Sequence, residues 1–364
     1  MSITKEQVMA ALSTVIDPEL NKDLVTLNMI KDVTITNGKD LSVTVELTTP
    51  ACPLSAEIEE SVNKALKEIE GVGVVSVKMT AKVVEATKLG GDKDLIPTIK
   101  NTILVGSGKG GVGKSTVSVN LAVSLAKSGA KVGLMDADIY GPSLNVMMGM
   151  KDARVMTKDG KTMLPLERYG VKFISIGSLV DEGQALIWRG PILEGVLTQF
   201  LKDVNWGDLD YLVIDLPPGT GDVQLSLAQK IKATGAVIVS TPQDIALADV
   251  KRAKDMFDKV KVPILGVIEN MSYFLCPSCG ARTEIFSTGG AERIAKTYGL
   301  DFLGALPLDV EIREGGDLGV PVSTEEGAMS DIFFDISKTL AGKVSMLNYK
   351  KAEEEKKATF TPKF

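Results

Sequence analysis

Apolar and polar residues alternate in two stretches near the start of the chain, Ile30–Thr36 and Leu41–Leu47, separated by Asn37-Gly38-Lys39-Asp40. Alternation on either side of Asn-Gly predicts a β-hairpin. Upstream, Thr4 can cap a helix carried through Leu12 and Val15, with Glu6 and Gln7 in its first turn. Downstream, Ile58, Val62, Ala65, Leu66 and Ile69 recur at helical spacing, and a last strand runs through Val74–Val83. These elements predict a small α+β domain over residues 1–87, with helices on one face of a short sheet. Leu89–Asp94 is polar, glycine-bearing and aperiodic, which places a linker over 88–100.

Beyond the linker the pattern changes. Short continuous apolar runs (Ile103–Val105, Lys131–Met135, Val171–Ile176, Tyr211–Ile214, Ala236–Ser240, Ile264–Ile268 and Phe302–Ala305) alternate with helix-periodic segments. That predicts an α/β domain over 101–345, a parallel sheet with helices on both faces, whose ligands bind at the carboxyl ends of the strands. Residues 346–364 are dense in Lys350, Lys351, Glu353, Glu354, Glu355, Lys356 and Lys357, with no apolar face, and are expected to be a solvated or disordered tail.

Composition narrows the chemistry. At 364 residues and 44% hydrophobic, the chain suffices for two cores, and a net charge of −6 disfavours nucleic-acid binding by bulk electrostatics. No run approaches the roughly 18 apolar residues of a membrane span, and Met1–Leu12 lacks a signal-peptide layout, so a cytoplasmic protein is expected. There is no histidine, which removes imidazole bases and metal ligands together. The three cysteines, Cys52, Cys276 and Cys279, are no disulfide framework.

Gly108–Thr116 reads GKGGVGKST, between an apolar run and a helical segment marked by Val117, Leu121, Ala122 and Leu125. Strand, glycine loop and helix in that order form a phosphate-binding P-loop. Gly108, Gly110, Gly111 and Gly113 let the backbone around Val112 approach phosphate oxygens with its N–H groups, helped by the helix N-terminus. Lys114 would reach the β/γ-phosphates, and Ser115, beside Thr116, would complete a Mg²⁺ shell. Asp136 and Asp138 flank Ala137 at the end of the second strand; Asp136 is expected near the metal shell and Asp138 to position the attacking water. Tyr211–Asp215 is an apolar strand ending in Asp, followed by LPPGTGD. Asp215 would hold Mg²⁺ through water, and the Gly219 N–H could sense the γ-phosphate.

Cys276-Pro277-Ser278-Cys279 is half of a four-thiolate site, and a second CxxC is absent. One chain cannot close that site with these ligands; two chains on a twofold axis can. A cluster, a structural zinc or a redox pair fits the spacing. Cys52, between Pro50 and Pro53 just before a helix, is either a thiol whose pKa the helix N-terminus lowers or a small buried residue at a turn, the reading composition alone favours.

Together these motifs closely resemble the Mrp/ApbC-type iron–sulfur cluster carrier ATPases, a deviant Walker A family, across both domains: TTPACPL, KGGVGKST, DADIYGPS, Trp188-Arg189-Gly190-Pro191, DLPPGTGD, ENMSYF and CPSCG. The resemblance implies an ATPase that hydrolyses ATP with Mg²⁺, carries a [4Fe–4S] cluster between two subunits on Cys276 and Cys279, and passes it to apo-proteins. It implies a homodimer in which Lys109 reaches the partner's nucleotide, with an assembly scaffold and apo iron–sulfur clients as partners; the acidity and the tail without an apolar face separately argue against nucleic acid and membrane. Asn270 would contact the adenine edge and Pro307, in Leu306–Asp309, would close the base pocket. Asp17, Glu19 and Cys52 would form a functional spot in the small domain, Cys52 as a ligand or relay. Related deviant Walker ATPases position division machinery or plasmids; that role, or an ATP-switched dimer with structural zinc, is the alternative.

Overall fold

The computed structural model describes residues 2–86, 95–138, 141–179 and 190–359. The expected linker at Leu89–Asp94, the Ile139-Tyr140 and Trp188-Arg189 pairs and the last five residues lie outside the described residues. The chain divides into two compact units, Met1–Val84 with Ala341–Phe364, and Glu85–Leu340.

In the first unit, Thr4 caps α1 (Lys5–Leu12) with a capping box, its hydroxyl accepting the Gln7 N–H while the Gln7 side chain accepts the Thr4 N–H. The hairpin of β1 (Ile30–Thr36) and β2 (Asp40–Leu47) turns through left-handed Asn37 (φ 53°) and Gly38 (φ 69°). Helix α2 (Ser55–Lys67) then crosses over to β3 (Val75–Ala81), which pairs in parallel with β2. Leu41, Val43, Val45 and Leu47 of β2 point into a core with Val8 and Leu12 of α1 and Ile58, Val62 and Leu66 of α2. The period-two and period-3.6 stripes meet there.

The second unit is built on an eight-stranded sheet. Its strands are β4 (Ile99–Gly106), β5 (Val132–Asp136), β6 (Leu166–Arg168), β7 (Val171–Ile174), β8 (Leu209–Asp215), β9 (Gly235–Ser240), β10 (Ile264–Glu269) and, past a small hairpin of β11 (Phe274–Leu275) and β12 (Arg282–Thr283), β13 (Phe302–Ala305). In space the order is β6-β7-β5-β8-β4-β9-β10-β13, parallel except for the β6–β7 edge pair. Every residue of β5 and β9 is buried, as in a sheet covered on both faces. Besides a single turn at Leu144–Met147 and the last helix, its α-helices among the described residues are α3 (Lys114–Lys127), α4 (Gly190–Lys202), α5 (Asp222–Lys230), α6 (Asp244–Lys259), α7 (Gly290–Thr297) and α8 (Val310–Leu318).

Two boundaries differ from expectation. Strand β4 begins at Ile99, inside the expected linker, because Ile99 and Asn101 are already buried in the sheet. The charged tail is also not an unstructured one as far as Thr359. It is the end of α9 (Ala328–Thr359), whose buried Phe333, Ile336, Leu340 and Val344 form a helical stripe. Asn348 is buried and donates to the Val84 carbonyl, and Lys22 pairs with Glu353 over the Tyr349 ring. Among the described residues, no helix is long and apolar enough to cross a membrane.

Candidate functional site

Adjacent parallel strands bring the chemistry together. In register, Asp215 of β8 faces Asp136 of β5 on one side and Val105 of β4 on the other. Both carboxylates therefore stand at the carboxyl end of the sheet beside the loop that follows β4. That loop turns through Gly111 and Gly113, each at φ 79°, and delivers the N-terminus of α3. A Cβ on Gly111 would meet nothing, whereas one on Gly108 would overlap the Asp249 backbone of α6 and one on Gly113 the Asn270 amide. The loop is open on one side and held from below on the other, as a phosphate cradle must be.

Lys114 Nζ lies 2.8 Å from Asp215 Oδ1, with the side chains 6% and 0% exposed. Asp215 also accepts from Ser115 Oγ at 2.5 Å and Ser118 Oγ at 2.7 Å. Its charge is thus matched by a cation and two hydroxyls, so removing any one group leaves the others underpaired. Asp136 accepts Ser175 Oγ at 2.8 Å and the Asp138 N–H at 3.0 Å. Burial pushes the Asp136 carboxyl up to about 7, the neighbouring Asp215 adds to the rise, and Ser175 and Lys114 oppose it. Asp138 is half-buried and accepts the Gly141 N–H at 3.3 Å. Ser115, Asp136 and Asp215 offer only oxygen donors, a set suited to Mg²⁺.

Around this centre, several expected residues are engaged with the loop itself. The Gly219 N–H donates to the Ser107 carbonyl at 3.0 Å. Asn270 Nδ2 donates to the Val112 carbonyl at 2.9 Å. In this conformation both residues brace the P-loop. Thr116 is half-buried on α3, where its carbonyl accepts from Asn120. Pro307 is buried next to Leu306, whose backbone bonds Glu269 and Ser272. Gly110 is exposed, and half-buried Lys109 has no ion-pair partner among the described residues.

The thiols lie elsewhere. Cys276 and Cys279 sit in the turn of the β11–β12 hairpin, closed by Cys276 N–H to the Ala281 carbonyl and Gly280 N–H to the Cys276 carbonyl. Cys279 is exposed and Cys276 half-buried. The backbone N–H of Ser278, then that of Cys279, pulls the Cys276 thiol below its ordinary value. Arg282 stacks on Tyr273 at the hairpin base, and Leu275, Ile285 and Phe286 expose apolar surface nearby. Among the described residues, no three Cys, Asp or Glu side chains converge on one point.

Cys52 lacks the lowered thiol pKa that a helix N-terminus would give. Burial pushes its thiol up to about 11, the Leu54 backbone N–H opposing and the Glu19 and Asp17 carboxylates adding to the rise. Desolvation outweighs the helix N-terminus. Asp17 itself folds the local turn, accepting the Glu19 and Leu20 N–H groups at 2.9 Å each.

Sequence reasoning missed Ser118, Ser175 and Ser107. Ser118 follows Lys114 by one helical turn, a spacing that could have flagged it; Ser175 ends a strand and Ser107 precedes the loop, positions without a distinguishing pattern.

Residues 98–341 match the model of the NUBPL iron-transfer P-loop NTPase family, and residues 5–79 match that of iron–sulfur cluster assembly proteins. An iron–sulfur cluster carrier protein of Deinococcus radiodurans is 50% identical over 96% of this chain and 98% of its own length. The iron–sulfur cluster carrier protein of Escherichia coli is 42% identical over 93% and 92%. Among solved structures, a nucleotide-binding protein from Archaeoglobus fulgidus in complex with ADP is 43% identical, with a TM-score of 0.56, covering 63% of this chain and 90% of that one.

Proposed function

The chain belongs to the iron-transfer P-loop NTPase family, whose full-length relatives are iron–sulfur cluster carriers, and from that premise we propose an ATP-dependent [4Fe–4S] carrier acting in the cytoplasm as a homodimer. The observation that carries this reading is the pair of exposed Cys279 and half-buried Cys276, two thiols on a hairpin that leaves the strand end touching the P-loop. Two protomers supply the four thiolates that a cluster requires. The cluster is cargo, released to apo-proteins and received from an assembly scaffold.

ATP binds along Gly108–Thr116, with its phosphates on the backbone N–H groups and Lys114. Ser115 and Asp215, with Asp136 beside them, would hold Mg²⁺, which would supply positive charge against the phosphates. Asp138 orients the water for in-line attack on the γ-phosphorus, and Lys114, with the partner protomer's copy of Lys109, stabilises charge on the transferred phosphoryl group as ADP departs. Asn270 and Pro307 border the base. When the γ-phosphate takes the Gly219 N–H, the Ser107 bond is given up, a two-state exchange that can move the segment after Asp215.

Anaerobic reconstitution with ferrous iron and sulfide tests the reading. About four irons per two chains, with a broad thiolate-to-iron absorbance, are expected in wild type and are lost in Cys276→Ala/Cys279→Ala. A colourless protein that retains zinc in place of iron sinks the proposal.

A further inference from the structure

Strand β10 ends at Glu269, and this residue and the next, Asn270, face different machinery. Glu269 is fully buried, and its carboxylate accepts three hydrogen bonds. Oε1 takes the Ser272 hydroxyl at 2.6 Å and the Gly289 N–H at 2.8 Å, and Oε2 takes the Ala291 N–H at 2.6 Å. Ser272 is where the chain enters the cysteine hairpin, and Gly289–Ala291 is where it leaves into α7. One carboxylate thus closes the base of the excursion 273–288. It also caps α7, whose N-cap Gly289 lies at φ 67° and has no side chain to do so. Thr288 meets Ser272 Oγ at 3.1 Å, and since the Ser272 proton goes to Glu269, Thr288 is the donor.

The next residue faces the nucleotide loop. Asn270 donates to the Val112 carbonyl, and its Oδ1 accepts the Met271 N–H at 3.0 Å, with Met271 held at a left-handed φ of 55°. Val112 stands between the two positive-φ glycines, and the space beside Gly113 is filled by the Asn270 amide. A displacement of the P-loop at Val112 therefore bears directly on Asn270, and through one peptide bond on Glu269.

We propose that Glu269 is a positioning residue: it fixes the base of the Cys276–Cys279 hairpin and, through Asn270, ties the accessibility of those thiols to nucleotide at the P-loop. A buried carboxylate with three donors cannot turn without leaving N–H or O–H groups unpaired, so strand end and hairpin base move together. The proposal rests on the nucleotide-binding part of the reading above and is independent of what the thiols hold.

The test is thiol labelling of the full-length, metal-free protein with a bimane reagent, read by peptide mass spectrometry without nucleotide, with Mg-ADP and with a slowly hydrolysed Mg-ATP analogue. Wild type is expected to change its Cys276 and Cys279 labelling rate roughly 2- to 30-fold with nucleotide, the span of couplings carried by packed networks. Glu269→Gln and Ser272→Ala bring that ratio close to one while nucleotide affinity and Cys52 labelling stay as in wild type. Ser272→Ala removes a single hydroxyl and keeps the test standing where Glu269→Gln fails to fold. A ratio retained in both variants, or a wild-type rate indifferent to nucleotide, overturns the proposal. Failure to bind iron with this ratio intact would sink the carrier reading alone.

Discussion

Asp136 and Asp215 stand side by side, but only Asp215 has a cation against it, the Lys114 ammonium at 2.8 Å. The asymmetry has a sign that can be worked out. Asp136 holds its proton up to about pH 7 in the folded protein, whereas an unfolded Asp releases it near its ordinary value of 3.8. Between those values the folded state binds the extra proton, so this group's contribution is fully present at low pH and is lost as pH rises through about 7. Asp136→Asn removes the loss. Thermal unfolding of the nucleotide-free variant is expected to match wild type near pH 4 and to exceed it at pH 8, by on the order of 2–4 kcal/mol. Mg-nucleotide binding, read by calorimetry, weakens in the same variant. Equal stability of the two proteins at pH 8 would refute the account.

The elements that bury both faces were the legible ones. Seven of the sheet strands could be placed from continuous apolar runs, because β5 or β8 has no solvent side to interrupt them; the short edge strand β6 has no such run. The P-loop was legible because left-handed turns and close approach demand glycine. Glu269, Ser118 and Ser175 were illegible, since a polar residue in a strand or helix acquires meaning only when its distant partners are in place. The thiol of Cys52 was not decidable from sequence for the same reason, as its desolvation depends on three-dimensional packing. Glycines within one loop also divide by neighbour. Gly108→Ala drives a methyl into the Asp249 backbone and is expected to lower the Tm of the second unit by roughly 2–10 °C, an overpacking cost of about 1–3 kcal/mol. Gly110→Ala meets only the Pro218 side chain at 3.8 Å and leaves Tm unchanged in the same calorimetric scan.

At the scale of the whole molecule, the charged end of α9 misled because it was read apart from its stripe. Seven of the eight residues from Lys350 to Lys357 are charged, yet Ala341, Val344 and Asn348 just before them are buried, in a stretch that belongs to the first unit. Val344→Asp is expected to cost that unit at least about 2 kcal/mol, through lost burial and an underpaired charge. Limited proteolysis checks this: cleavage within residues 2–84 should accelerate while the P-loop unit keeps its pattern. A unit assembled from both ends of a chain also has a history during synthesis. Its first 84 residues leave the ribosome early but lack their closing helix until the residues from Ala341 onward emerge. The intervening Glu85–Leu340 takes roughly 13–51 s to make at ~5–20 residues per second. The core of Val8, Leu12, Leu41, Val43, Ile58, Val62 and Leu66 is complete within the first 84 residues, so the small domain can collapse before the ATPase unit is made and receives its last helix only when synthesis ends.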